Sequence, residues 1–217
     1  MTIIVSEATV GAVGFNYGQL KAAIANRLSR TNLTDIIPDF VTLGESRLYA
    51  GFRDVEVQVP PLRLNAMLET ETTSLSVLPA GFLSAYRFTI PDAYGPRALE
   101  YKNPQDFAAL PTASAAPGYY TFQDGGITVQ GGDPAAFTFV YYKRFDTLVS
   151  DGDTNWLLTN HPGIYLYSAL IEAYQHVKDD ARLLTAARMY AAAANAVVES
   201  DSSARNSGSV LTIPAGR

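Results

Sequence analysis

One segment, residues 150–178, most constrains the fold of this chain, because it joins a sheet-like stretch to a helical one. It opens with Asp151-Gly152-Asp153, residue types that favour a turn. Pro162 fits the first turn of a helix, where its missing N–H is not needed. The apolar residues that follow recur every three or four positions, which predicts a helix with one broad buried face. They are Tyr165, Leu166, Ala169, Leu170, Ala173 and Val177.

Helical spacing also occurs on both sides of this segment. Asn16 is a suitable N-cap for a helix over residues 16–30, and a second helix is expected over about 35–52. Within the second helix, Gly44 predicts a close contact with another helix. The last helix is expected to begin at Asp179-Asp180, where negative charge is favourable, and to end near residue 200.

Residues 55–149 favour strands. Val55, Val57 and Val59 alternate with polar residues, and Asp124-Gly125-Gly126 predicts a hairpin because Asp-Gly readily adopts positive φ. Other strands are expected at residues 62–71, 74–78, 85–90, 97–101, 119–123, 127–130 and 136–145. Sequential strands with short turns favour antiparallel pairing, so we predict an α+β fold. It is a four-helix bundle with an antiparallel β-domain inserted between helices 2 and 3.

The end of the sequence changes character twice. Residues 201–209 are small and polar, which is typical of a disordered or extended tether. The pentad Val210-Leu211-Thr212-Ile213-Pro214 is apolar and β-prone, as expected of a segment that binds another chain. The predicted domains are two helical halves, a β-domain and an extended C-terminal tail. The two helical halves cover residues 1–54 and 150–200, the β-domain covers residues 55–149, and the tail covers residues 201–217.

Residues with catalytic or metal-binding chemistry are few. His161 and His176 are the only histidines and cysteine is absent. The sequence therefore offers no convincing set of ligands for a zinc site and no convincing set of residues for a nucleophilic triad. Residues 151–155 resemble the opening of a calcium loop, but Trp156 occupies its glycine position and Pro162 its final glutamate position. A turn is therefore favoured, and no metal or cofactor is expected. We predict that the protein is not an enzyme, although an acid–base pair among the carboxylates of the β-domain stays open.

Trp156, the only tryptophan, has two interpretations: an anchor for a partner, or a buried plug where the sheet meets the helices. Its apolar neighbours Leu157 and Leu158 favour the plug. We therefore predict a sheet–helix junction formed by Trp156, Leu157 and Pro162.

Charge and composition bear on the kind of partner. The net charge is −5 and the charges of both signs are interspersed, which excludes a basic stripe for tight nucleic-acid binding. Charged residues make up 17% of the chain, below the roughly 25% of an average soluble domain. There are 13 tyrosines, and interfaces are enriched in Tyr and depleted in Lys and Glu. The composition fits a protein packed against neighbours and equally a tyrosine-rich β-domain that needs none.

The same totals bear on location. The first fifteen residues lack the basic flank and apolar core of a signal peptide, and no apolar run is long enough to span a membrane. The absence of cysteine fits a reducing cytoplasm. We expect a soluble protein that is not exported.

Taken in order and spacing, several segments resemble the head-to-tail adaptor (connector) proteins of tailed bacteriophages, over nearly the whole chain. No one segment is diagnostic alone. They lie at residues 22–30, 31–35, 37–48, 78–83, 99–107, 117–122 and 154–183, and include IPDFVTLGESRL, LEYKNPQDF, TNWLL and KDDARL.

The resemblance implies a structural role without chemistry. Copies would form a dodecameric ring below the portal, extend the DNA channel and present a platform for the tail tube or nozzle protein. DNA would pass through during genome ejection without specific binding, and no membrane is implied. The expected location is the head–tail interface of the virion, and the host cytoplasm during assembly. Val210, Leu211, Ile213 and Pro214 would bind the portal protein.

Three other functions remain open from the sequence. A tail completion or terminator protein would use the same assembly logic at another position in the particle. A carbohydrate-binding β-domain of a tail fibre would need exposed aromatic residues on one sheet face. A hydrolase would need a pocket with perturbed carboxylates.

Overall fold

The computed structural model describes residues 15–53, 56–111 and 117–206. The chain divides into two compact units, with the division between Leu62 and Arg63 and again between Phe145 and Asp146. We call residues 63–145 the sheet unit and the remainder the helical unit. Helices and sheets both occur, so the α+β class predicted from the sequence is confirmed.

The elements are as follows. The described helices are α1 (Tyr17–Leu28), α2 (Ile37–Ala50), α3 (Pro104–Ala108), α4 (Trp156–Asn160), α5 (Pro162–His176) and α6 (Asp180–Asn206). The described strands are β1 (Phe52–Arg53), β2 (Gln58–Val59), β3 (Leu68–Glu71), β4 (Phe82–Ile90), β5 (Arg97–Ala98), β6 (Glu100–Tyr101), β7 (Tyr119–Gln123), β8 (Gly126–Val129) and β9 (Thr138–Lys143). Short 3₁₀ turns span Thr31–Ile36 and Asn65–Met67.

The helical unit is built around α5, which packs against α1, α2, α4 and α6. Most of α5 is buried, including Tyr165, Ala169 and Ala173 of its predicted apolar face. Asn16 caps α1 as predicted. Its side chain accepts the N–H of Gln19 at 2.8 Å, and the Gln19 side chain accepts the Asn16 N–H at 3.0 Å.

Gly44 lies where α2 meets α5. A Cβ at this position would lie 2.8 Å from the backbone nitrogen of Ala169 and 2.9 Å from the carbonyl carbon of Ser168. Only glycine allows the two backbones to approach this closely. The close helix contact predicted from Gly44 is confirmed.

The last helix is longer than the sequence indicated. It continues through residues 201–206, so the prediction of an extended tail beginning at Asp201 is wrong for these six residues. Asp201 and Arg205 form an i,i+4 ion pair of 2.7 Å. This pair stabilises the end of the helix, although the polar composition of these residues favours an extended segment. Residues 207–217, including Val210–Pro214, lie outside the described residues.

The sheet unit contains two sheets. One has the order β3-β9-β4-β5, with antiparallel neighbours throughout. The other has the order β6-β7-β8, in which β6 and β7 are parallel and pair Glu100 with Tyr119. The prediction of antiparallel pairing is therefore wrong for this pair. The chain passes through α3 between β6 and β7, and such a crossover makes parallel pairing possible.

The predicted Asp-Gly hairpin is confirmed: Asp124 and Gly125 join β7 to β8 with φ of 53° and 76°. Residues 74–78 are not a strand. They lie beside this hairpin, where the Ile127 N–H donates to the Leu75 carbonyl at 2.8 Å. The core of the sheet unit consists of Leu75, Phe88, Ile90, Leu99, Tyr120, Ile127, Val129, Phe139 and Tyr141.

The boundaries between the two units differ from the predicted residues 55 and 149. The β1–β2 hairpin belongs to the helical unit, and the Leu62 N–H donates to the carbonyl of Leu48 in α2 at 2.8 Å. Alternation at Val57 and Val59 therefore marks a short hairpin against helices. Among the described helices, none combines the length and apolar character needed to cross a membrane.

Candidate assembly surfaces

The turn at residues 151–153 closes the N-terminus of α1. The N–H of Tyr17 donates to the Asp153 carbonyl and the N–H of Gly18 to the Asp151 carbonyl, each at 2.9 Å. Together with the Asn16 cap, these bonds satisfy three N–H groups that a helix start leaves without internal partners. The turn predicted from Asp151-Gly152-Asp153 thus joins the two sequence halves of the helical unit.

The two carboxylates of this turn are already engaged. Asp153 accepts the N–H groups of Ser150 at 2.7 Å and Val149 at 2.8 Å, and these bonds hold the pKa of Asp153 below its ordinary value. Asp151 forms an ion pair of 2.5 Å with Lys21 on α1. The residues that resemble a calcium loop therefore serve as a helix cap. Within the described ranges, His, Asp and Glu form no group of three or more able to hold a metal.

Both histidines pack against aromatic rings. His161 lies between α4 and α5 with its ring 5.4 Å from that of Trp156, and burial lowers its pKa. His176, at the end of α5, lies 5.5 Å from the ring of Phe40.

Trp156 is 42% exposed, whereas Leu157 and Leu158 are fully buried. The prediction of a buried tryptophan plug is therefore wrong. Successive residues of a helix point about 100° apart, so a one-turn helix cannot turn three consecutive side chains inward. Pro162 occupies the first turn of α5, as predicted. The junction proposed for Trp156, Leu157 and Pro162 stays a prediction, and the exposure of Trp156 favours the partner-anchor interpretation.

A buried polar network ties α4, α5 and α2 together. The Asn155 side chain accepts the Leu158 N–H at 2.9 Å and donates to the Tyr165 hydroxyl at 2.9 Å. That hydroxyl donates to Glu45 of α2 at 3.3 Å, and burial raises the pKa of Tyr165. The sequence did not indicate this network, because its members are far apart in the chain. It gives the helical unit a defined internal geometry.

Arg47 of α2 makes a second link to α5, through an ion pair with Glu172 and a 3.3 Å hydrogen bond to Gln175. Its guanidinium also lies 4.9 Å from the centre of the Phe52 ring. Such a fixed arrangement suits a unit that presents surfaces to neighbours.

Several large apolar side chains of the helical unit are exposed. Leu43 on α2 is 52% exposed and Met189 on α6 is 49% exposed, besides Val149 and Trp156. The sequence does not identify Leu43 and Met189 as exposed apolar residues, because helical periodicity locates a buried face and does not mark single apolar residues outside it. Exposed apolar side chains are the candidates for contacts with other chains.

The exposed aromatic residues of the sheet unit are dispersed. Tyr86 lies on β4 with its ring 5.7 Å from Tyr142, and Tyr101 lies on β6 with its ring 5.6 Å from Phe122. The third, Tyr94, is fully exposed between β4 and β5. Because β4 and β6 belong to different sheets, these tyrosines do not form the single aromatic face that a carbohydrate site needs.

A pocket of about 620 Å³ lies at one end of the four-stranded sheet, lined by residues of β4, β5 and β9. Among its described lining residues, Arg87 is the one with a charge, and none is a carboxylate. The described lining therefore does not include the perturbed carboxylates expected of a hydrolase. The predicted portal-binding residues Val210, Leu211, Ile213 and Pro214 lie outside the described residues.

Comparison with known protein families gives a match over most of the chain. A protein-family model described as SU10 adaptor protein matches residues 15–212, a range that contains every described residue of both units. No curated protein matches the chain.

Proposed function

Since the chain belongs to the SU10 adaptor protein family, a family of phage adaptors, we propose that it forms a ring between the portal and the tail. In this role it is a structural virion protein, and the ring extends the channel through which DNA leaves the head. The observation that carries the proposal is the family match across both the helical and the sheet unit.

The proposed ring has twelve copies. Each contributes a four-helix bundle of α1, α2, α5 and α6, with the β-domain inserted between the second and third of these helices. The bundles pack side by side around the channel, and the sheet units face the tail tube or nozzle protein. A net charge of −5 supports weak contact between DNA and the channel wall, because tight phosphate binding would retard ejection.

The proposed partners are the portal protein, the tail tube or nozzle protein and further copies of the chain. We assign portal binding to Val210, Leu211, Ile213 and Pro214, whose apolar side chains follow the small polar sequence of residues 207–209. The protein is assembled in the host cytoplasm and remains at the head–tail interface of the virion. The role requires no reaction, and the carboxylates of the 151–153 turn are engaged by the N–H groups of Val149 and Ser150 and by Lys21.

Native mass measurement of the full chain, with and without portal protein, tests the proposal. We expect a monomer or weak association alone, and twelve copies bound when portal is present. A stable dimer that ignores portal contradicts the adaptor role. Binding to the tail tube without binding to portal would instead favour a tail completion or terminator protein.

A further inference from the structure

A groove of about 260 Å³ runs between α1, α5 and α6 on the helical unit. Aromatic and aliphatic side chains make up most of its lining, together with two arginines. We call it the arginine groove, and its main lining residues are Arg27, Tyr167, Leu170, Tyr174, Arg182 and Met189.

The groove carries an excess of positive charge. The Arg27 guanidinium lies 5.7 Å from the centre of the Tyr167 ring and, within the described part of the chain, has no carboxylate partner. Arg182 pairs with Asp179 at 3.5 Å, but its side chain is still 62% exposed. Two arginines and one carboxylate leave the groove suited to an apolar side chain with an acidic neighbour.

Such a combination occurs on α2. Leu43 is 52% exposed, and Asp39, one turn earlier, is also exposed. At about 100° per residue, Leu43 and Asp39 lie roughly 100° and 140° around α2 from Gly44, the residue that faces α5. They therefore form an outward-facing pair.

The Leu43–Asp39 pair and the arginine groove occupy different surfaces of the helical unit. On α5, Ser168 contacts Gly44 and Glu172 pairs with Arg47, so these residues define the side facing α2. The groove residues Tyr167, Leu170 and Tyr174 lie roughly 120–180° around α5 from that side, at 100° per residue. A protrusion on one side and a complementary groove on the other are the requirements of a head-to-tail contact that repeats.

We propose that Leu43 of one copy inserts into the arginine groove of the next copy, with Asp39 beside Arg27 and Arg182. The inference rests on the proposed function and names the surfaces through which copies meet in the ring. The contact is heterologous: each copy donates its α2 face to one neighbour and its groove to the other. Because the two faces are different surfaces of the helical unit, each copy can use both at once, and the contact can continue from copy to copy until the ring closes.

Disulfide trapping tests this contact, because the natural chain contains no cysteine. The double variant Leu43→Cys/Met189→Cys, oxidised on portal-bearing heads, should give a ladder of dimers, trimers and higher species on a non-reducing gel. Either single variant should give no ladder, since a head-to-tail contact places each cysteine against a different residue of the neighbour. Both positions are about half exposed, so these substitutions spare the core.

A matched control pairs Leu43→Cys with Val77→Cys, which is 70% exposed but lies in the sheet unit. We expect it to give no ladder. Charge reversal supplies a second readout: Asp39→Lys or Arg27→Glu in the double-cysteine background should each lower the ladder yield about tenfold, and their combination should restore it.

The outcomes separate this inference from the proposed function. A ring by native mass without a Leu43–Met189 ladder refutes the groove contact and leaves the ring intact. Dimers from the Leu43→Cys variant alone show a two-fold contact and also refute it. The absence of both ring and ladder contradicts the proposed function and this inference together.

Discussion

Gly44 is the residue that lets α2 lie against the backbone of α5. A methyl group there would meet backbone atoms of Ser168 and Ala169 at 2.8–2.9 Å, and a backbone cannot move aside as a flexible side chain can. Gly163, in the first turn of α5, has the opposite surroundings, with the nearest atom 3.8 Å from an added Cβ. Alanine substitutions at these two glycines therefore distinguish the effect of helix propensity on stability from the effect of packing.

We expect Gly44→Ala to destabilise the protein by about 1–3 kcal/mol, because overpacking outweighs a gain in helix propensity of up to about 1 kcal/mol. Gly163→Ala, the matched control, should be neutral or stabilising by up to about 1 kcal/mol. Urea unfolding followed by circular dichroism measures both. Equal stability of the two variants would show that α2 and α5 are not held at this distance.

Trp156 and Leu157 provide a second pair at the residue scale. Leu157→Ala should cost about 2–5 kcal/mol because its side chain is fully buried, whereas Trp156→Ala should cost about 1 kcal/mol or less. The tryptophan emission of the free protein should be that of a partly solvated indole. A strongly blue-shifted emission together with a large cost for Trp156→Ala would restore the plug interpretation.

At the scale of elements, the 151–153 turn and α1 behave as one structure. Two carbonyls of the turn accept the first N–H groups of α1, and the Asp153 carboxylate holds the turn in shape. The turn comes more than 130 residues after Tyr17, the first residue of α1, so the start of this helix depends on a long-range contact.

The lowered pKa of Asp153 predicts an acid response. A carboxyl group with a folded pKa below its unfolded value adds stability above the unfolded pKa, near 4, and loses it as the pH falls through the folded pKa. Asp153→Ala should therefore lower the urea midpoint at neutral pH and flatten its decline below about pH 4. The same decline in the variant as in the natural chain would show that other groups cause it.

Local patterns predicted several elements well and others poorly. Caps and periodicity located α1 and α5, and the Asp-Gly pair located the β7–β8 turn, because these features depend on neighbouring residues. The direction of β6 against β7 depends on a crossover through α3, which strand-like residues do not reveal. The extension of α6 to Asn206 includes the Asp201–Arg205 ion pair, which supports the helix and which composition alone does not reveal.

The candidate surfaces were less predictable than the fold. A glycine inside a helix, such as Gly44, predicts a close helix contact from the sequence alone. Leu43 beside it cannot be assigned to a buried or an exposed face until the orientation of α2 is known. Trp156, Leu157 and Leu158 are similarly apolar, and only the structure shows which one faces outward.

At the scale of the whole molecule, we propose different tasks for different parts of the chain. In this proposal the helical unit forms the ring, the sheet unit faces the tail, and residues 207–217 attach the ring to portal. If residues 207–217 bind portal, their loss should weaken attachment without changing the stability of the fold.

Deleting residues 207–217 should leave the circular dichroism and the urea midpoint unchanged, because α6 is retained to Asn206. Attachment to portal-bearing heads should fall sharply in a pelleting assay. The matched control replaces Val210, Leu211 and Ile213 with Ser at constant length and should lose attachment to a similar degree. Normal attachment of the truncated chain would place the docking surface on the helices.

An electron cryo-microscopy reconstruction of the portal vertex, in particles that contain this chain, would show directly whether the ring exists. We expect a ring of twelve copies between portal and tail, with the helices α1, α2, α5 and α6 side by side around the channel. Density for the chain at a tail fibre, or a vertex in which portal meets the tail tube without it, would contradict the account.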